Sequence, residues 1–277
     1  MKKGLVPLVI ISSALASLAS AQPRMGGGNA INGSIEMTYQ SLYMWRGFDV
    51  FPNKSAMQVT ADVTLPGTGL GMSVDVHRAN AGGFENGERW DYNPYYEGSL
   101  NAGSQAAVDY RLGYTYYNFP DQANETADMH EFHAIVSLPN VAGGPKLVPA
   151  YALIKMWPQS STTGGSAVGG AVSGYLHILM LNYEFEVPGY SLDTPEQTIR
   201  LHSELIYNDG VNLVANLPGG GGPVDHDWSN FVVGAATDIV MPANIVLTPA
   251  VNYQVTLDRS VHGSDELWAT LGAKFRF

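Results

Sequence analysis

Ala56-Met57-Gln58-Val59-Thr60-Ala61-Asp62-Val63-Thr64-Leu65 puts Met57, Val59, Ala61, Val63 and Leu65 on one parity and Gln58, Thr60, Asp62 and Thr64 on the other. Successive side chains of a strand point to opposite faces, so this alternation predicts a strand with one apolar and one polar face. The pattern recurs on both sides. Ile35, Met37, Tyr39, Tyr43 and Trp45 oppose Glu36, Thr38, Gln40 and Arg46, which reads as one strand running through to Arg46. Leu70, Met72, Val74 and Val76 oppose Gly71, Ser73, Asp75 and His77.

Further along, Val108, Tyr110, Leu112, Tyr114 and Tyr116 oppose Asp109, Arg111, Gly113 and Thr115. Phe132, Ala134, Val136 and Leu138 oppose Glu131, His133 and Ser137; Ile199, Leu201, Leu205 and Tyr207 oppose Arg200, His202, Glu204 and Asn208. The last segment sets Leu267, Ala269, Leu271, Ala273, Phe275 and Phe277 against Glu266, Thr270, Gly272, Lys274 and Arg276. Segments near 90–101, 146–157, 174–187, 229–241 and 245–257 alternate less cleanly, and with them the count reaches about twelve.

The connections alternate in length as well. Those at 66–69, 102–105, 139–145, 188–196 and 242–244 are short, several opening with Pro as turns often do; those at 47–54, 78–89, 118–128, 158–173, 209–228 and 258–265 are long. Short turns at one end and long loops at the other are the pattern of an antiparallel up-and-down β-barrel in an outer membrane. Ten or eleven tilted residues per segment cover the apolar band of such a barrel, about 25 Å tall. A soluble β-sandwich or lipocalin-like barrel also alternates, with its apolar face turned inward. Against it stand the aromatic residues closing the apolar faces (Tyr43, Trp45, Tyr114, Tyr116, Trp157, Tyr207), as interfacial girdles do.

Composition agrees. Only 14% of the 277 residues are charged, against 15 Tyr, 5 Trp and 31 Gly, so much of the surface is expected to meet something other than water. Cysteine is absent, so packing and backbone pairing must hold the fold without disulfides. The net charge of −11 excludes nucleic acid as a partner. Lys2 and Lys3, the apolar run to Leu18 and the small-x-small Ala19-Ser20-Ala21 read as a signal peptide over 1–21, leaving a single barrel domain over 22–277. The context expected is a Gram-negative-type outer membrane, with periplasmic termini.

Tyr43-Met44-Trp45-Arg46-Gly47, Ala56-Met57-Gln58 and Gly69-Leu70-Gly71-Met72 resemble the Gcw_chp family of bacterial outer-membrane proteins. Tyr110 to Tyr117, Asn118-Phe119-Pro120 and His130-Glu131-Phe132 extend the likeness over about the first 150 residues, with the long Gly-rich later loops departing from it. The resemblance implies an outer-membrane barrel and supplies no active site. The chain's end, Phe275 and Phe277 on one face, resembles the signal read by the barrel assembly machinery.

With apolar faces toward lipid, the polar faces line a lumen. Its expected lining includes Glu36, Arg46, Asp62, Asp75, Asp109, Arg111, Glu131, Arg200, Glu204, Asp238, Lys274 and Arg276, and also Asp91, Glu97, Glu184, Glu186 and Glu266. Acids outnumber bases, and carboxylate rings favour cations, so the expected function is a porin-like passive channel for small hydrophilic or cationic solutes. The alternatives are a non-conducting structural protein in which these charges pair into a network, a surface protein acting through its loops, and an outer-membrane barrel enzyme. Arg46 reads either as a charge at the outer mouth or as a lumenal group paired with an acid on a neighbouring strand, with Gly47 releasing the strand into its loop.

No cofactor is implied. His130 and His133 fall on opposite faces and cannot share a metal, and Asp225-His226-Asp227 reads as a solvated Gly-rich loop. An enzyme would need a serine beside a histidine and a third polar group, but His202-Ser203 are adjacent and so face apart; Asp75 and His77 share a face as ordinary lumenal pairs do.

Overall fold

The computed structural model describes residues 31–123, 127–142, 146–159, 173–189, 196–213 and 222–277. The expected signal peptide and the glycines at 164–170 and 219–221 lie outside the described residues.

Twelve long strands run β1 Asn32–Gln40, β2 Ala56–Thr64, β3 Leu70–Ala79, β4 Arg89–Leu100, β5 Val108–Asn118, β6 Met129–Ser137, β7 Leu147–Pro158, β8 Gly174–Val187, β9 Gln197–Asp209, β10 His226–Thr237, β11 Ile245–Thr256 and β12 Glu266–Arg276. Each pairs antiparallel with its chain neighbours, and β1 pairs with β12 from Ser34↔Arg276 to Gln40↔Thr270. Gly33 and Phe277 exchange backbone hydrogen bonds of 3.0 Å at the end of that seam. The sheet is thus a closed barrel with no free edge. Among the described residues no helix is long and apolar enough to cross a membrane, so any span belongs to the strands.

Closure decides which way the parities point. Val59, Val63, Met72, Leu112, Leu179, Leu201, Val233 and Leu271 stand exposed on the outer wall. Aromatic rings border this aliphatic band at both ends. At the long-loop end Trp90, Tyr92, Tyr116, His130 and Trp157 form a run across β4 to β7, with neighbouring ring centroids 5.4 to 6.5 Å apart. At the short-turn end stand Tyr96 with Tyr110, Tyr183 with Phe185, and Phe275 with Phe277. An apolar belt between aromatic rims is what a bilayer demands of a barrel surface.

The first strand departs from the expectation. It ends at Gln40, and residues 41–55 fold into the barrel as a hairpin whose arms are Met44–Trp45 and Phe48–Asp49. Tyr43 and Trp45, expected in the outer girdle, are each 2% exposed and lie inside. Strand parity cannot register this, because the chain turns inward before Tyr43 is reached. Two other boundaries also differ. Arg78 and Arg89 belong to β3 and β4 rather than to the loop between them, and His226 and Asp227 open β10, where His226 Nδ1 hydrogen-bonds Asp209.

Candidate functional site

The hairpin 43–51 fills the long-loop half of the lumen, and the inner wall is built to receive it. Ile135 on β6, Ala152, Ile154 and Met156 on β7, Leu176, Ile178 and Met180 on β8 and Ile206 on β9 all point inward and pack in one cluster with Tyr43, Trp45, Phe48, Val50 and Phe51. A barrel's inner face is ordinarily polar where it meets water. Here the inner faces of β7 and much of β8 are apolar because they meet protein. This is why the segments around 146–157 and 174–187 alternate poorly: both of their faces are apolar, for different reasons.

At the hairpin tip Arg46 takes a left-handed backbone (φ 53°), followed by Gly47 at φ 98°. A Cβ on Gly47 would sit 2.4 Å from Asn230 Oδ1, so only glycine fits there. The Gly47 carbonyl accepts a hydrogen bond from Gln254 Nε2 at 3.1 Å. The turn aims Arg46 at the far wall, where Nη1 donates to Glu131 Oε2 at 2.6 Å and Nη2 to Oε1 at 3.1 Å. Glu131 is on β6, far around the barrel from β1, so the expected partner on a neighbouring strand is corrected: the loop carries Arg46 across the lumen. Tyr117 donates its hydroxyl to Glu131 Oε2 at 2.6 Å, and His133 Nδ1 lies 2.9 Å from Oε1. Forked Arg–carboxylate pairing with these added bonds is the geometry in which a desolvated ion pair is best compensated.

A second cluster grips the hairpin from β3 and β4. Arg89 lies 3.8 Å above the Trp45 ring, bonds both oxygens of Asp91 at 2.7 and 2.8 Å, and donates to the Tyr43 hydroxyl at 3.1 Å. His77 Nε2 sits 3.0 Å from Asp91 Oδ2 and its ring stacks on Tyr43. The sequence reading missed Arg89 by placing it in a loop; its parity with Asp91 and Asn93 was the available signal. In the hairpin itself, burial raises the Asp49 carboxyl above its ordinary pKa.

The structure places every other candidate of the lumen on the inner face or at its short-turn rim. Glu36 meets Lys274 at 2.7 Å, Glu97 meets Arg111 at 2.5 Å, and Arg200 meets Asp238 at 2.8 Å. Asp62 accepts from the Tyr95 hydroxyl, Asp109 from Ser99, and Asp75 from Thr60 and Gln58. Glu204 projects inward from β9 and Glu184 from β8, while Glu186 is exposed at the rim. Arg276 ends β12 at that rim, and Glu266 bonds His262 at the opposite end. Side chains of Glu131, His133 and Arg46 are at most 1% exposed; toward the short turns Glu36, Lys274, Asp238 and Glu97 range from 11 to 23%, while Arg111 and Arg200 stay at 5 and 1%. The lumen is therefore packed at the long-loop half and less tightly filled in places toward the short turns.

His202 points inward and Ser203 outward, and His77 bonds Asp91 rather than Asp75, so neither pair forms the relay of a hydrolase. His130 lies outside and His133 inside, and no three His, Asp or Glu side chains among the described residues cluster as a metal would need.

No protein-family model matches the chain, and a search of curated proteins finds no match. Among solved structures, the chain is similar to the NanC porin at 11% identity (TM-score 0.49; 90% of this chain, all of that one). It is similar to an outer-membrane channel from Pseudomonas putida F1 at 10% identity (TM-score 0.48; 90% and 96% covered) and to LpxR from Salmonella typhimurium at 10% (TM-score 0.46; 88% and 100% covered).

Proposed function

We propose that this chain is a porin-like channel of a Gram-negative-type outer membrane, passing small hydrophilic solutes down their gradient with a weak preference for cations, and narrowed by its own first loop. The observation that carries the reading is the inside-out pattern: an aromatic-rimmed apolar outer wall around an inner wall that is polar and acid-rich toward the short turns. A packed core would not explain the excess of carboxylates in that half. Glu36, Asp62, Glu97, Asp109, Glu184 and Asp238 face it, against Arg111, Arg200, Lys274 and Arg276. Rings of unbalanced carboxylate raise the local concentration of cations over anions.

On this reading the short turns and both termini are periplasmic. Phe275 and Phe277, exposed on the outer face of the closing strand, are what the assembly machinery would grip. The stretch that resembles the Gcw_chp family, 43–47, is the plug tip itself, which extends the proposal to family members sharing it.

A second reading, a sealed structural barrel, is favoured by the absence of exposure around Glu131 and Arg46. Planar-bilayer recording separates the two. The channel reading expects a small conductance for the full chain and a reversal potential of cationic sign under a salt gradient. Silence, in the wild type and in a variant with residues 42–51 replaced by a Gly-Ser linker, discards the channel. A reversal of anionic sign discards the cation preference.

A further inference from the structure

Among the described residues, four side-chain atoms on the inner wall of β8 to β11 lack a hydrogen-bond partner: the acceptors Asn182 Oδ1, Glu204 Oε1 and Gln254 Oε1, and the ring nitrogen His202 Nδ1. Each belongs to a side chain at least nine-tenths buried. Strand register brings them into one sector. Asn182 pairs with His202; Glu204 follows on the same face of β9; Val232 of β10 pairs with Glu204 on one side and Gln254 on the other. Gly234, beside His202, leaves room for its ring: a Cβ there would lie 2.1 Å from His202 Cε1.

Two donors of the same wall, Arg200 Nε and Asn230 Nδ2, are also unpartnered, but neither hydrogen-bonds Glu204. A buried carboxylate oxygen with no donor is costly, and Asn182 Oδ1 and Gln254 Oε1 add two further unmet acceptors to its sector. Arg46 is the basic side chain whose charge reaches Glu204, and its guanidinium is already taken up by Glu131. An anion would add lone pairs to lone pairs. A hydroxyl offers a single donor and leaves the charge uncompensated. An ammonium offers three donors and a guanidinium five, each with a full positive charge and no acceptor. A bare metal ion finds no set of three His, Asp or Glu among the described residues.

We propose that Glu204, with Asn182, His202 and Gln254, forms a lumenal binding station for the ammonium or guanidinium group of a solute in transit. The station rests on the channel reading and names the class of solute. Glu184 and Asp238 lie on the same wall between it and the short-turn rim, flanking Arg200, so a cation entering from that end meets two carboxylates and one guanidinium along the way. Arg46 carries the same donor chemistry on a tether, which makes the hairpin tip an internal competitor for the station.

The test is calorimetric titration of the full chain in detergent with methylguanidinium, against methylurea as its neutral counterpart of nearly equal shape. Methylguanidinium is expected to bind saturably and methylurea at least about tenfold more weakly, the scale of one lost charge-assisted hydrogen bond. Glu204→Gln should weaken methylguanidinium by about tenfold or more. Gln254→Ala, which removes no charge and serves if the first variant misfolds, should weaken it about threefold, while Glu186→Gln at the rim should not. Equal binding of the two probes, unchanged affinity in Glu204→Gln, or no saturable heat overturns the station. Conductance is measured in parallel. Conductance without binding removes the station and keeps the channel; binding without conductance removes the channel.

Discussion

Arg46 occupies a backbone region that non-glycine residues rarely enter, and it does so with a neighbour that must be glycine. Such strain persists only where the surroundings hold it, and here the holder is Glu131. Glu131→Gln would leave a guanidinium buried without its counter-charge, so unfolding in detergent should show a loss of about 3–5 kcal/mol, with larger unitary conductance. Replacing both partners, Arg46→Met with Glu131→Leu, should recover most of that stability, since no charge remains to be desolvated. Gly47→Ala meets Asn230 Oδ1 and an unfavourable φ together, and should lower stability by about 1–3 kcal/mol. A wild-type midpoint for Gly47→Ala in urea titration would show that the tip is not seated as described. In the sequence, Arg46 was legible as an inward-facing charge. Its partner was not: Glu131 lies 85 residues away, and no local pattern states which strands a loop will reach across.

The hairpin shows where alternation misleads. Tyr43 and Trp45 share parity with Ile35, Met37 and Tyr39, and a period of two reads them all as one outward stripe. The chain leaves the ladder at Gln40, and nothing in the spacing reports it. The compensating signal sat elsewhere, in β7 and β8, whose inner positions Ile154, Met156, Leu176 and Ile178 are apolar where a wet lumen would want polar groups. Two apolar faces on one strand mean that something other than water lies inside. Trp45 is the keystone of that packing, touching Arg89 and Tyr117. Trp45→Ala should cost about 3–5 kcal/mol and raise conductance, whereas the same change at Trp90 on the outer wall should leave conductance as it is. If bilayer recordings give the two variants the same unitary current, the hairpin does not set the width.

At the scale of the whole molecule the barrel was the most legible feature, because seven stretches repeat one simple rule cleanly, five more follow it loosely, and errors in single stretches do not accumulate. Its orientation in lipid follows from the same rule and can be checked by depth-dependent quenching with brominated phospholipids. Single-tryptophan versions retaining Trp90, Trp157 or Trp228 should be quenched; those retaining Trp45 or Trp268, both facing inward, should not. Quenching of Trp45 would place the hairpin outside the wall.

The apolar sector on the inside has a consequence for biogenesis. Until the seam between β1 and β12 zips shut, β7 and β8 present grease on both surfaces, and an open ribbon of that kind invites adhesion to other chains. The hairpin is made early and waits beside β1, whereas its berth is translated about a hundred residues later. Threading a bulky aromatic loop through a finished cylinder is far harder than wrapping a growing sheet around it. The hairpin is thus a mandrel as much as a filling, and chains lacking it should close into barrels in lower yield, with the remainder clumping on the way.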